Sequence, residues 1–141
     1  HVRDVTALTL WHLSGGRTAL VSGLGSKALE AIAATWRCAE CRMWVKNKLR
    51  VCEEIAANYG LTMKELAFIG DDIIDVRAMQ AVGVGVAVAD AAPEARAAAA
   101  FVTLAPGGKG AVRELIERIL RAQGRYEEML ERYLAREDTP Q

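Results

Sequence analysis

An excess of charge of either sign is absent. Eighteen basic residues balance eighteen acidic ones, so the chain lacks the electrostatic footprint that nucleic-acid binding needs. Long apolar runs are absent too. None approaches the roughly 20 residues of a membrane helix, and no signal peptide opens the sequence. We therefore expect a cytoplasmic protein with no nucleic acid and no membrane as partner. Cysteine is scarce and odd in number, three in 141 residues, which argues against a disulfide framework. Cys38 and Cys41 form a C-x-x-C, but no second pair and no H-x-x-x-H completes a tetrahedral zinc set, and the two histidines, His1 and His12, are remote in sequence. We read that pair as incidental. Cys52 sits between Val51 and Ile55 on a helical pattern and reads as a small core residue. An initiator Met is also lacking, so a chain opening on His1 reads as processed or cut from a longer frame.

What is present is the composition of a globular domain, 52% apolar and 26% charged, with length for one real core but not two. Apolar spacing predicts a helix over 1–14, a short strand over Thr18–Gly23, and a helix from the Ser26 N-cap to Trp36 with Leu29, Ile32, Ala33 and Trp36 on one face. A weak strand over Cys41–Val45 follows, then a helix from Asn47 with Leu49, Cys52, Ile55, Ala56 and Tyr59 inward, closed by Gly60. Thr62–Glu65 has capping-box form. Further strands are expected at Leu66–Ile69, Val84–Ala89 and Phe101–Leu104, with helices between them and a long helix over Ala111–Gln123. Repeated strand–helix alternation with short links means a parallel sheet with helices on both faces. Residues 1–123 read as one core domain, and 124–141 as a charged, amphipathic helical tail.

The chemistry concentrates in Leu66-Ala67-Phe68-Ile69-Gly70-Asp71-Asp72-Ile73-Ile74-Asp75. A buried strand ends at Gly70, and three carboxylates follow within five positions at the strand's C-terminal end, where α/β proteins bind ligands. Carboxylates so close repel one another, and a hard divalent cation relieves this by oxygen ligation. The alternative is that Asp72 and Asp75 favour a helix start and Asp71 is a solvated turn residue. Two other strand ends offer Ser22 and the Lys46–Lys48 segment. A hydroxyl, an ammonium and carboxylates together suit a metal-assisted phosphoryl group.

The order and spacing of Leu20-Val21-Ser22-Gly23, Val45-Lys46-Asn47-Lys48-Leu49 and Phe68 to Asp75 resemble the haloacid dehalogenase superfamily of phosphohydrolases. Val86 to Glu94, and Gly107-Gly108-Lys109-Gly110-Ala111-Val112-Arg113-Glu114, resemble its 3-deoxy-D-manno-octulosonate 8-phosphate phosphatases. The resemblance implies a Rossmann-like fold and a Mg²⁺-dependent phosphatase of a sugar-acid phosphate. It also implies roles: Ser22, with Gly23, binds the phosphoryl oxygen, Lys48 stabilises the transition state, Asp71 is the metal ligand, and Asp75, beside Asp72, supports metal and lysine. In that family an Asp on a central first strand, in a D-x-D motif, is the nucleophile. That strand lies between the strands ending here at Ser22 and Gly70, and the sequence shows no such motif; Asp4 is the only acid before Glu30. Leu24 stands where an Arg usually contacts substrate, Met43-Trp44 where Gln-Gly is usual, and Val5 where a Gly is usual. As this chain, inactivity is therefore expected. The alternative is a non-catalytic relative kept as an assembly domain, of the kind associated with sialic-acid and nucleotide-sugar synthesis. The family also implies a homotetramer in which the tail, through Tyr126, Met129, Leu130, Tyr133 and Leu134, reaches a neighbour's site.

Overall fold

The computed structural model describes residues 1–137. Helix α1 (Val2–Leu13) is followed by β1 (Ala19–Val21), α2 (Lys27–Thr35), β2 (Glu40–Arg42) and α3 (Lys48–Asn58). Then come β3 (Ala67–Gly70), α4 (Val76–Ala81), β4 (Val84–Ala87), α5 (Pro93–Ala98), β5 (Phe101–Val102), α6 (Ala111–Ala122) and α7 (Tyr126–Glu137). Short 3₁₀ turns at Met63–Glu65 and Ile73–Asp75 flank β3. Local chemistry places most boundaries: the Ser26 and Asn47 side chains accept from Leu29 and Arg50 N–H to start α2 and α3. Every strand pairing is parallel. The architecture is the expected α/β one, and among the described residues no helix is long and apolar enough to cross a membrane.

The sheet comes in two pieces. β1 pairs with β2, with Leu20 opposite Cys41, and β3–β4–β5 form a second ladder with Ile69 opposite Val86. Among the described residues β1 and β3 share no hydrogen-bonded ladder. The burial expected of these two strands is corrected accordingly. Leu20, Val21, Phe68 and Ile69 are only half-buried, whereas Val86 and Ala87 of the doubly paired β4 are fully covered. β2 also lies earlier than expected, at Glu40–Arg42, and Ile32 of α2 is exposed. A sheet of two three-residue strands is too small to cover that helix face.

The core has two centres. Met79, Ala87, Val88, Ala91, Ala95 and Ala111 pack around β4. Ala7, Leu8, Leu10, Ile116, Leu120 and Met129 join α1, α6 and α7. The apolar face of the tail, expected to reach a neighbour, is thus seated on its own domain; Met129 is fully buried and only Leu134 of that face remains well exposed. Gly124, at φ +67°, supplies the left-handed turn that folds α7 back. The end of the expected tail, 138–141, lies outside the described residues. Met129→Ala should cost about 2–5 kcal/mol, measured by urea unfolding, against which an exposed Leu134→Ala is a control expected to change little.

Candidate active site

Gly70 ends β3 because Asp75 needs its space: a Cβ there would sit 2.5 Å from Asp75 Oδ2. Asp75 is almost wholly buried and folds back under the turn. Its Oδ2 accepts the N–H groups of Asp71 (2.9 Å) and Asp72 (3.1 Å), and its Oδ1 accepts Lys48 Nζ at 2.5 Å. The Lys48 side chain is 11% exposed and that of Asp75 2% exposed, so water screens this ion pair poorly. Lys48 is the first residue of α3, fixed there by the Asn47 cap. The lysine at the end of one sheet and the turn at the end of the other are joined by this contact.

The three neighbouring carboxylates do not form one cradle. Among the described residues no three His, Cys, Asp or Glu side chains gather into a group able to hold a metal ion. Asp75 is filled by its three donors, and the exposed Asp72 caps the turn, its Oδ1 accepting Ile73 N–H at 2.7 Å. Asp71 is left at the surface. Partial burial raises its carboxyl above the ordinary value, the charge of Asp75 adds to this, Lys48 opposes it, and Asp72 adds a little more. A hard divalent ion that keeps several waters and takes one or two protein carboxylates would be held here by Asp71.

The sign of this shift is testable. Between the ordinary carboxylate value and the raised one, the folded chain holds a proton the unfolded chain has lost, so Asp71 removes stability as pH rises through that window. Melting temperature in EDTA should carry this fall, Asp71→Asn should flatten it, and Mg²⁺ should offset it above the window.

Ser22 follows β1. Its N–H donates to Arg42 O (2.9 Å), its carbonyl accepts Val45 N–H (2.9 Å), and its Oγ accepts Leu24 N–H at 3.1 Å. That last bond fixes the Ser22–Gly23–Leu24 turn, which meets the other sheet where a Cβ on Gly23 would lie 3.5 Å from Ile74 Cδ1. Ser22 and Gly23, Lys48, and Asp71 with Asp75 are thereby brought to one end of the two ladders. Apolar side chains ring the mouth: Leu24, Trp44, Ile73 and Ile74 are all exposed. Trp44 takes a left-handed φ of +59°, and its indole lies where a Cβ on Gly25 would be.

Three features escaped the sequence reading. Asp4 lies in the first turn of α1, 2% exposed, where its carboxylate accepts the N–H groups of Gly110 (3.2 Å) and Arg113 (3.0 Å) and so caps α6 from a distance. It does not reach the Lys48 end. Asp90 accepts Gly107 N–H at 2.8 Å and ties the Pro106–Gly110 loop down. Ala92 N–H donates to Asp71 O at 2.8 Å, bracing the turn from behind. The glycines of the 107–110 loop, of which Gly108 (φ +71°) and Gly110 (φ +106°) take left-handed backbone, are the sequence signal that this loop needs an anchor.

Known proteins share this fold. The sequence profile of the haloacid dehalogenase-like hydrolases matches residues 27–115. The 3-deoxy-D-manno-octulosonate 8-phosphate phosphatase KdsC of Escherichia coli is 34% identical over 128 residues, 91% of this chain and 68% of that relative. Its Yersinia pestis counterpart is 37% identical over 127 residues, 90% and 68% of the two chains. The crystal structure of the Moraxella catarrhalis phosphatase, in complex with magnesium ion, phosphate ion and KDO, superposes with a TM-score of 0.91 at 28% identity over 94% of this chain and 76% of that one. By its profile match, its identity to these phosphatases and its superposition on them, the chain belongs to the haloacid dehalogenase-like hydrolases, in the branch of the 3-deoxy-D-manno-octulosonate 8-phosphate phosphatases.

Proposed function

We propose that this chain carries the phosphate-binding, lysine and metal-supporting part of a Mg²⁺-dependent phosphatase site for a sugar-acid phosphate such as 3-deoxy-D-manno-octulosonate 8-phosphate. The observation that carries this is the Lys48–Asp75 pair set beside the exposed Asp71 at the end of the two ladders. Asp75 fixes the direction of Lys48, and the ammonium's other protons are available to phosphoryl oxygens where negative charge grows in the transition state. The Ser22 hydroxyl donates to a phosphoryl oxygen while its oxygen continues to accept Leu24 N–H. Mg²⁺, held by Asp71, supplies charge neutralisation of the phosphoryl group. Leu24 at the rim gives a sugar-acid carboxylate no cation to pair with, so selectivity among such substrates should be low at that point.

A carboxylate nucleophile is not part of this constellation, since Asp4 caps α6 instead. The same observation favours a second reading, an assembly domain without turnover, and the two differ in whether the site still takes a metal and phosphate. Self-association belongs to both readings: Leu24, Trp44, Ile73 and Ile74 leave an apolar rim that a second copy would cover.

The metal role is tested without activity. With Mn²⁺ as a paramagnetic stand-in and inorganic phosphate present, the amide signals of 70–75 should broaden selectively, and Asp71→Ala should abolish this. Equal broadening in Asp71→Ala, or none in the native chain, would overturn the assignment.

A further inference from the structure

Away from this end of the sheets, an open cleft of about 590 Å³ lies between α2 and β2. Its lining includes three sulfur side chains, Cys38, Cys41 and Met43, together with Arg37 and Glu30. Strand geometry explains why the sulfurs share a side. Along β2, Glu40 and Arg42 pair with each other at 2.8 Å, and Arg42 also reaches Glu54 of α3 at 3.8 Å. Alternation then sends Cys41 and Met43 to the opposite side, toward α2. Cys38 joins them through the preceding turn. Arg37 takes a left-handed φ of +52°, Cys38 N–H donates to Ala33 O at 2.9 Å, and Ala39 N–H donates to Thr18 O at 2.8 Å. Those constraints fix Cys38 in the loop that borders the cleft.

We propose that Cys38, Cys41 and Met43 bind a soft monovalent cation, Cu⁺. Two thiolates and a thioether are the donor set that Cu⁺ prefers, whereas Zn²⁺ needs a fourth ligand and takes thioethers poorly. Cys38 and Cys41 gather no third His, Cys, Asp or Glu among the described residues, which disfavours the zinc alternative. Both cysteines are free thiols, Cys41 exposed and Cys38 half-buried. On binding, two S–H bonds break and two thiolate–copper bonds form, while the Met43 thioether donates a lone pair to make the third S–Cu bond. Two protons leave to water and copper stays at +1. The resulting site carries one net negative charge, and Arg37, which forms no ion pair among the described residues, lines the cleft to meet it. Cys52 lies apart, buried in α3, and serves as an internal control.

The test is an anaerobic titration of the reduced full chain with Cu⁺ against bicinchoninate as competing chelator. One ion per chain should be retained, with two protons released. Cys38→Ser and Cys41→Ser should each weaken retention by well over tenfold, Met43→Leu by about tenfold, the equivalent of roughly 1.4 kcal/mol, and Cys52→Ser should leave it unchanged. Cys41→Ser changes an exposed position and Met43→Leu a half-buried one, so circular dichroism can confirm their folding if Cys38→Ser fails. Retention unaltered in the Cys41→Ser, Met43→Leu double variant, or lost in Cys52→Ser alone, would overturn the proposal.

Discussion

Asp75→Ala is expected to lower the unfolding free energy by about 3–5 kcal/mol, the usual cost of stranding one member of a buried ion pair. Three donors lose their acceptor at once: Lys48 Nζ and the N–H groups of Asp71 and Asp72. Lys48 cannot recover its hydration fully, being 11% exposed. Asp75→Asn should cost less, since one amide oxygen can still accept the two backbone N–H groups while the charge is gone. Lys48→Met leaves Asp75 with both N–H donors, and combined with Asp75→Asn it should cost less than the sum of the two singles, a coupling of about 0.5–3 kcal/mol. Urea unfolding of the four chains measures this. A loss below about 1 kcal/mol in Asp75→Ala would mean the pair contributes little and that the turn after β3 is held by Gly70 and the Ala92–Asp71 bond instead.

Why so much of this site was legible in the sequence, and the rest not, follows from where its bonds run. Gly70-Asp71-Asp72-x-x-Asp75 and the Asn47 cap are local: each hydrogen bond closes within four residues, so spacing alone carries the geometry. For the three carboxylates, spacing says that Asp75 is near the other two but not that its oxygens turn inward to Lys48, 27 residues away. Asp4 illustrates the limit. Its partners are Gly110 and Arg113, more than 100 residues on, and nothing around Asp4 in sequence announces them. Burial of β1 and β3 was misjudged for a related reason: an apolar run indicates a strand, but its covering depends on which edges find partners. The tail's amphipathic stripe was likewise readable as a stripe. Which surface it would meet depended on the turn at Gly124 and on the α1–α6 seam, formed by helices at opposite ends of the chain.

Alone, the chain is expected to release no phosphate from a sugar-acid phosphate. Supplied with one extended apolar strand that ends in Asp-x-Asp, added as a peptide or fused ahead of α1, it should gain Mg²⁺-dependent release. The two ladders set the terms. β1 and β3 each have one paired neighbour, both are half-buried, and their C-terminal ends carry Ser22 and Asp71. An inserted parallel strand would pair with both edges and satisfy backbone groups now left to water. The first carboxylate of its Asp-x-Asp would arrive beside Lys48 and Asp71, where it can attack phosphorus and take up the phosphoryl group while the second Asp gives its proton to the departing sugar oxygen, and water then frees the first. In that assembly Lys48→Ala should lower kcat by about 10²–10³ while KM changes little, since the ammonium acts on charge that develops only in the transition state. Ser22→Ala should act more on KM. Phosphate release by the unsupplemented chain, abolished by Asp71→Ala, would show that a nucleophile is already present. A supplemented chain whose amide spectra report strand pairing but which releases no phosphate would instead favour the assembly-domain reading.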